Sequence, residues 1–124
     1  MLLAGKRMVI RKSQFDQMAT ERFLDRVVEI LCASYPDANS FLASETGQTA
    51  LRQQYGKAVG YGLSSEGPAA RYLITAWLLG EDFDTRFPAM YEVLSDASLA
   101  PWRKAESIER FAVTLLEMLQ AGRA

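Results

Sequence analysis

The sequence predicts an all-α fold, a single compact, irregular (orthogonal) bundle of about five helices. Three observations predict it. Apolar residues recur at three- and four-residue spacing through every long segment. All four prolines stand where a predicted helix starts or stops, so each acts as punctuation. No stretch shows the strict alternation of a half-buried strand.

At 124 residues the chain has the length of one domain. That length can bury roughly two-thirds of the unfolded surface, enough for a core without cross-links. Residues 1–12 read as a flexible basic lead-in and residues 13–124 as the helical domain. Met8 is a second candidate start, with Met1 to Arg7 then a disordered leader. The run from Met1 to Arg7 does not read as a secretory signal, because its apolar part is short and its basic residues follow it. The longest uncharged window, Tyr72 to Gly80, falls far short of the ~20 residues of a membrane span. The expected location is a bacterial-type cytoplasm.

The first helix is expected from Ser13, a good N-cap, to about Ala33. Phe15, Met18, Ala19, Phe23, Val27, Ile30 and Leu31 follow helical spacing and form its inner stripe. Pro36 stops it, and Pro36 to Thr46 reads as a loop rich in Asp, Asn, Ser and Thr, with Phe41 and Leu42 tucked back onto the core. The second helix runs from near Thr46 to near Tyr61, with Leu51, Tyr55, Ala58 and Val59 inward. Gly56 and Gly60, one turn apart, suggest a face that lets another helix approach closely. Gly62 fits a left-handed cap, and Leu63 the apolar contact that accompanies one.

Ser64 or Ser65 caps the third helix, with Glu66 at its positive end and Pro68 in its first turn. It continues to about Leu79. Apolar residues surround it almost completely, so it is expected to be central and wrapped on every side, Trp77 included. A short helix follows Pro88, with Met90, Val93 and Leu94 inward. The last helix runs from Pro101 to about Ala121 on a stripe of Ala105, Ile108, Ala112, Leu115 and Leu119, widened by Phe111, Leu116 and Met118.

Composition narrows the chemistry. The chain has no histidine, which removes His-based acid–base catalysis, His-dependent triads and nearly every zinc site. Its one cysteine, Cys32, can form no internal disulfide and has no histidine to activate it, so it reads as a structural thiol. A net charge of −1 supplies no field that would draw in nucleic acid or a membrane. Gly60 and Gly62 lack the third glycine of a dinucleotide loop and no strand precedes them. The second and third helices have a helix-turn-helix outline, but Arg71 is the only base-reading side chain offered by the second of the pair. Glu66, Glu81, Asp82 and Asp84 could serve a paired-carboxylate hydrolase, a chemistry that needs a cleft and for which a compact bundle has little room. The reading is therefore non-enzymatic, with no catalytic residues, cofactor or metal.

Glu81, Asp82, Phe83 and Asp84 form the densest acidic cluster. Carboxylates just past a helix C-terminus face the negative end of its dipole, so something should compensate. Either the stretch is a solvated turn with one capping acid, paired with Arg71 or Arg86, or Phe83 docks into a partner with acids around it. The candidate partner-binding residues are Tyr61, Arg71, Glu81, Asp82, Phe83, Asp84, Arg86, Phe87 and Trp102. An exposed apolar patch is expected near Tyr61, Phe83, Phe87 or Trp102.

Several short stretches carry a family likeness. They are Val9-Ile10-Arg11-Lys12-Ser13-Gln14, Tyr35-Pro36, Tyr61-Gly62-Leu63, Ala70-Arg71-Tyr72-Leu73, and Leu79-Gly80-Glu81-Asp82-Phe83-Asp84. Together they resemble small all-helical accessory proteins encoded beside the spike, PAAR-tip and toxin genes of bacterial type VI secretion systems. The resemblance implies a chaperone-like adaptor that binds a secreted effector, a PAAR or spike component, or another adaptor, and helps load the effector. It implies no catalytic residues. Two alternatives stay open: an immunity protein presenting acids to a basic toxin cleft, and a helix-turn-helix-like regulator using the basic residues between Lys6 and Lys12.

Overall fold

The computed structural model describes residues 12–122, and among them every regular element is an α-helix. Residues 1–11 of the lead-in, with the second start at Met8, lie outside the described residues, and Lys12, placed in the lead-in, belongs to α1. The side chain of Phe15 also lies outside the described residues. The helices are α1 (Lys12–Ser34), α2 (Ala38–Ala43), α3 (Glu45–Gly60), α4 (Glu66–Leu79), α5 (Phe83–Arg86), α6 (Pro88–Ser95) and α7 (Pro101–Ala121). The described residues thus hold seven helices where about five were expected. Both additions are short, and both lie in stretches read as loops.

The first addition, α2, lies within Pro36 to Thr46. Its six residues are too few to show a period and too few to hold a helix unaided. Burial of Ala38 and Leu42 against α1 and α3 holds it. One residue, Ser44, joins α2 to α3. Its hydroxyl accepts from the Gly47 amide at 3.1 Å, so it caps α3 one residue earlier than expected. Gln48 Nε2 donates to the Leu42 carbonyl across the same corner. Gly47 makes the corner possible: a Cβ there would lie 1.9 Å from the Phe41 carbonyl oxygen. The close approach expected of Gly56 and Gly60 is absent. Both face open space, because their side of α3 is turned away from the other helices.

Gly62 ends α3 as expected. Its φ is +90°, its amide bonds the Val59 carbonyl at 2.9 Å, and the Leu63 amide bonds Ala58 at 2.8 Å. This pair of bonds is the Schellman arrangement, and the accompanying apolar contact comes from Leu63, fully buried with Ala58.

Helix α4 is the central element. It packs on α7 most extensively, and also on α3 and α1. Two clusters of buried residues meet on it. Ala69 and Leu73 face Phe23, Leu24, Val27 and Leu31 of α1 and Leu51 of α3. Tyr72, Ala76 and Leu79 face Leu63, Phe83, Met90, Leu94 and Ile108. Each buried Leu, Ile or Phe contributes roughly 1.5–3 kcal/mol. Yet α4 is not wrapped all round. Ala70, Ile74, Trp77 and Leu78 are only half-buried, the first three beside the α1–α3 cluster and Leu78 beside the other.

Some residues placed on inner stripes lie outside. On α1, Met18 and Ile30 are exposed, while Leu24 is buried. Ser13 lies inside α1 instead of capping it. On α7, Ala105, Ile108 and Ala112 are buried, but Met118 and Leu119 are exposed. Neither of these two joins a buried cluster among the described residues. No helix among the described residues is long and apolar enough to cross a membrane.

Candidate functional site

The residues singled out from the sequence separate into three places. The first is an internal polar cluster. Phe83 is fully buried and packs at a tilt against Tyr72, with ring centroids 4.8 Å apart. It fills this chain's own core, so it presents no surface for docking; the apolar ring among acids belongs to the interior. Asp84, read as part of a solvated acidic turn, is 2% exposed. Lys57 Nζ meets its Oδ1 at 2.9 Å, and the Tyr61 hydroxyl donates to its Oδ2 at 2.8 Å.

Burial alone would raise the Asp84 pKa. The hydrogen bonds from Lys57 and Tyr61 and the Lys57 charge outweigh it and hold the carboxyl below its usual range. Tyr61 is pushed well above the ordinary phenol value by burial and by its bond to Asp84. Tyr72 is pushed up by burial first and then by the Asp84 charge. Near neutral pH the carboxyl is therefore ionised and both phenols are neutral, which suits a structural brace.

The compensation expected at the C-terminus of α4 comes from cations. Arg86 Nη2 donates to the Leu79 carbonyl, and Lys57 Nζ reaches the Glu81 carbonyl at 2.8 Å. Asp82 lies 3.9 Å from Arg86 and precedes α5 without a side-chain cap. Phe87 is half-buried against Phe111, and the Arg86 guanidinium lies over its ring, 5.1 Å from the centroid.

The second place is a shallow cleft between α4 and α7. Trp102 is 58% exposed, and the Arg103 guanidinium lies 5.0 Å from its ring. Arg71 lines the same cleft and bonds Glu109 at 3.1 Å, so the one base on α4 is already engaged. Of the expected apolar patch, Trp102 is the member that stands out in solvent.

The third place is a groove of about 450 Å³ between α1, α2, α3 and α4. Gly47 allows α2 to lie close on α3, and the uncovered side of α4 completes the opening. Leu31 and Leu42 line one side, Leu51 and Ala50 another, and Leu73, Ala76 and Trp77 the third. The Phe41 and Trp77 rings line it as a tilted pair in contact, with centroids 6.2 Å apart. Its volume and apolar lining are those of a typical ligand or side-chain receptor. Three polar side chains complete it, Thr46, Gln54 and Glu81. Glu81 stands at the rim. Gln54 is nearly buried; its Nε2 donates to the Glu81 carbonyl at 3.3 Å, and its Oε1 has no partner among the described residues.

Of the residues flagged from sequence, Glu81 alone lines this groove. Phe41, Gln54 and Trp77 were read as core or passed over. A signal existed for Gln54: it falls on the buried stripe of α3, three residues after Leu51 and four before Ala58. Lys104 carries the same mark. It is buried beside Ala105 and Ile108, and its Nζ donates to the Tyr61 and Leu94 carbonyls at 2.9 and 2.8 Å. Among the described residues no group of three or more His, Cys, Asp or Glu is arranged to hold a metal ion.

No protein-family model matches the chain, and neither a curated protein nor a solved structure is significantly similar to it. The likeness to secretion accessory proteins therefore rests on its short sequence stretches.

Proposed function

We propose that this chain is a non-enzymatic protein-interaction module that holds an apolar segment of a partner in the α2–α3–α4 groove. The observation that carries the reading is the groove itself: an apolar receptor lined by Phe41 and Trp77, large enough for an aromatic or branched anchor. The polar cluster around Asp84 braces the floor behind it and takes no part in contact. The partner class is the one the sequence resemblance implies, a secreted effector or a PAAR, spike or adaptor component met in the bacterial cytoplasm.

Purified chain is titrated with the effector, adaptor and spike-tip products of neighbouring genes, one at a time. A stoichiometric complex with one of them is expected, weakened at least tenfold by Trp77→Ala and by Ala50→Trp, which fills the groove. Trp102→Ala should leave it unchanged. A complex insensitive to both groove variants, or none with any of these products, overturns the reading.

The acidic rim favours one second reading. Glu45 and Glu81 together line a hollow that adjoins the groove, as an immunity protein facing a basic toxin cleft requires. Rescue of toxin-expressing cells by this chain separates that role from loading, which gives no protection.

A further inference from the structure

We propose that the groove selects an indole-type anchor: a large aromatic ring carrying one N–H donor, with a positive charge beside it at the mouth. This deepens the interaction reading and rests on it.

The first observation is Gln54. Its side chain is 8% exposed and lines the groove, and its Oε1 is buried without a partner among the described residues. The amide orientation is set by the Nε2 bond to the Glu81 carbonyl, which needs a donor. Its groove neighbours Leu51, Leu73 and Ala76 have no side-chain donor, and neither the Thr46 hydroxyl nor the Trp77 indole bonds it. A buried acceptor left open is a cost in the free protein that an incoming donor removes.

The chemistry of that donor follows from the surroundings. The walls are apolar and aromatic, so the occupant must be large and apolar. An ammonium or guanidinium pushed into such a site would lose its hydration. An indole brings one N–H and no acceptor, so pairing with Gln54 Oε1 leaves nothing unsatisfied. The tilted Phe41–Trp77 ring pair offers it a further aromatic surface for stacking or edge contact.

The second observation is charge. Among the described residues Glu81 is the one charged residue lining the groove, and Glu45 joins it in the adjoining hollow, where none of the described Lys or Arg residues contributes. Neither carboxylate has an ion-pair partner among the described residues. A tryptophan followed or preceded by a basic residue matches both features.

The test uses the whole chain and four small probes: tryptamine, its ring-N-methylated analogue, indole-3-propionate and N-acetyltryptophanamide. Binding is followed by amide and indole NMR shifts. Tryptamine is expected to shift the Gln54 side-chain amide and the Trp77 indole. It should bind about tenfold more tightly than the ring-methylated analogue, a difference of about 1.4 kcal/mol, and several-fold more tightly than indole-3-propionate, with the neutral amide between. Glu81→Gln should abolish the preference for the cation and keep the preference for the donor. Gln54→Leu should do the reverse. Equal binding of tryptamine and its ring-methylated analogue to the unmodified chain overturns the proposal, as do shifts scattered away from the groove. If that happens while the partner complex still depends on Trp77, the indole specificity falls and the groove reading stands. If the partner complex is also indifferent to Trp77, both fall.

Discussion

The ammonium of Lys57 on α3 lies 2.9 Å from Oδ1 of Asp84 on α5, and that carboxylate is almost completely enclosed. The pair joins two elements 27 positions apart and leaves the lysine partly in solvent. Removing one member strands a charge in the interior. Lys57→Met should therefore cost about 2–3 kcal/mol in urea denaturation. The double change Lys57→Met with Asp84→Leu should recover part of that loss, because no stranded charge remains. Equal losses for the single and double variants would dissociate the pair from stability.

The same carboxylate sets an acid limb. Its folded pKa lies below the unfolded value of about 3.9. Its contribution is fully present above that value and disappears as the pH falls through the folded pKa. Denaturation midpoints followed from pH 6 to pH 2 should fall more steeply in the unmodified chain than in Asp84→Asn. Tyr61 and Tyr72 have raised pKa values, so they add an alkaline limb with the opposite sign. Stability should decline above about pH 10, where the unfolded phenols ionise first.

Two glycines in one helix should answer an added methyl oppositely. Gly47→Ala drives a Cβ into the Phe41 carbonyl, and backbone cannot yield as a side chain can. A loss of about 3 kcal/mol or more is expected, with the α2–α3 corner opened. Gly56 meets nothing within 4 Å and sits mid-helix, so Gly56→Ala should stabilise by about 0.5–1 kcal/mol. Thermal melts of the two variants check both signs.

Lys104 ties the C-terminal ends of α3 and α6 together through the Tyr61 and Leu94 carbonyls. Lys104→Met keeps the apolar stem and deletes both bonds. A loss of about 1.5–3 kcal/mol is expected from chemical denaturation. A neutral result would mean that water replaces the ammonium freely.

Along α7 the cost of truncation should drop sharply toward the C-terminus. Ile108→Ala, fully enclosed, should cost about 2–5 kcal/mol. Leu119→Ser, on the exposed last turns, should change stability by no more than about 0.5 kcal/mol. Comparable losses at both positions would show that another surface covers the end of this helix.

The long helices were legible in the residues. Pro101 fixed the start of α7, and a stripe from Ala105 to Ala112 carried it into the core. Gly62 and Leu63 wrote the end of α3. The short helices were not, because four or six residues carry no period and depend on contacts made by distant segments. Phe83 was misplaced for the same reason: flanking acids suggest solvent, and only Tyr72, eleven positions earlier, provides the ring that buries it. The groove was hidden more deeply. It exists because α2 leaves one side of α4 uncovered, and no local pattern encodes an uncovered side. Gln54 was its readable trace, a polar residue on a buried stripe.

One consequence concerns how the molecule comes apart. Helix α4 gives Ala69 and Leu73 to one cluster and Tyr72 and Ala76 to the other, within two turns. Neither cluster can be dismantled without exposing the inner wall of its neighbour. Heating should thus produce a single sharp transition, and the slowest-exchanging amides of α1 and α7 should share one opening free energy. An occupant pressed against Trp77 would then protect the far end of the molecule, around Leu94, as strongly as the near one.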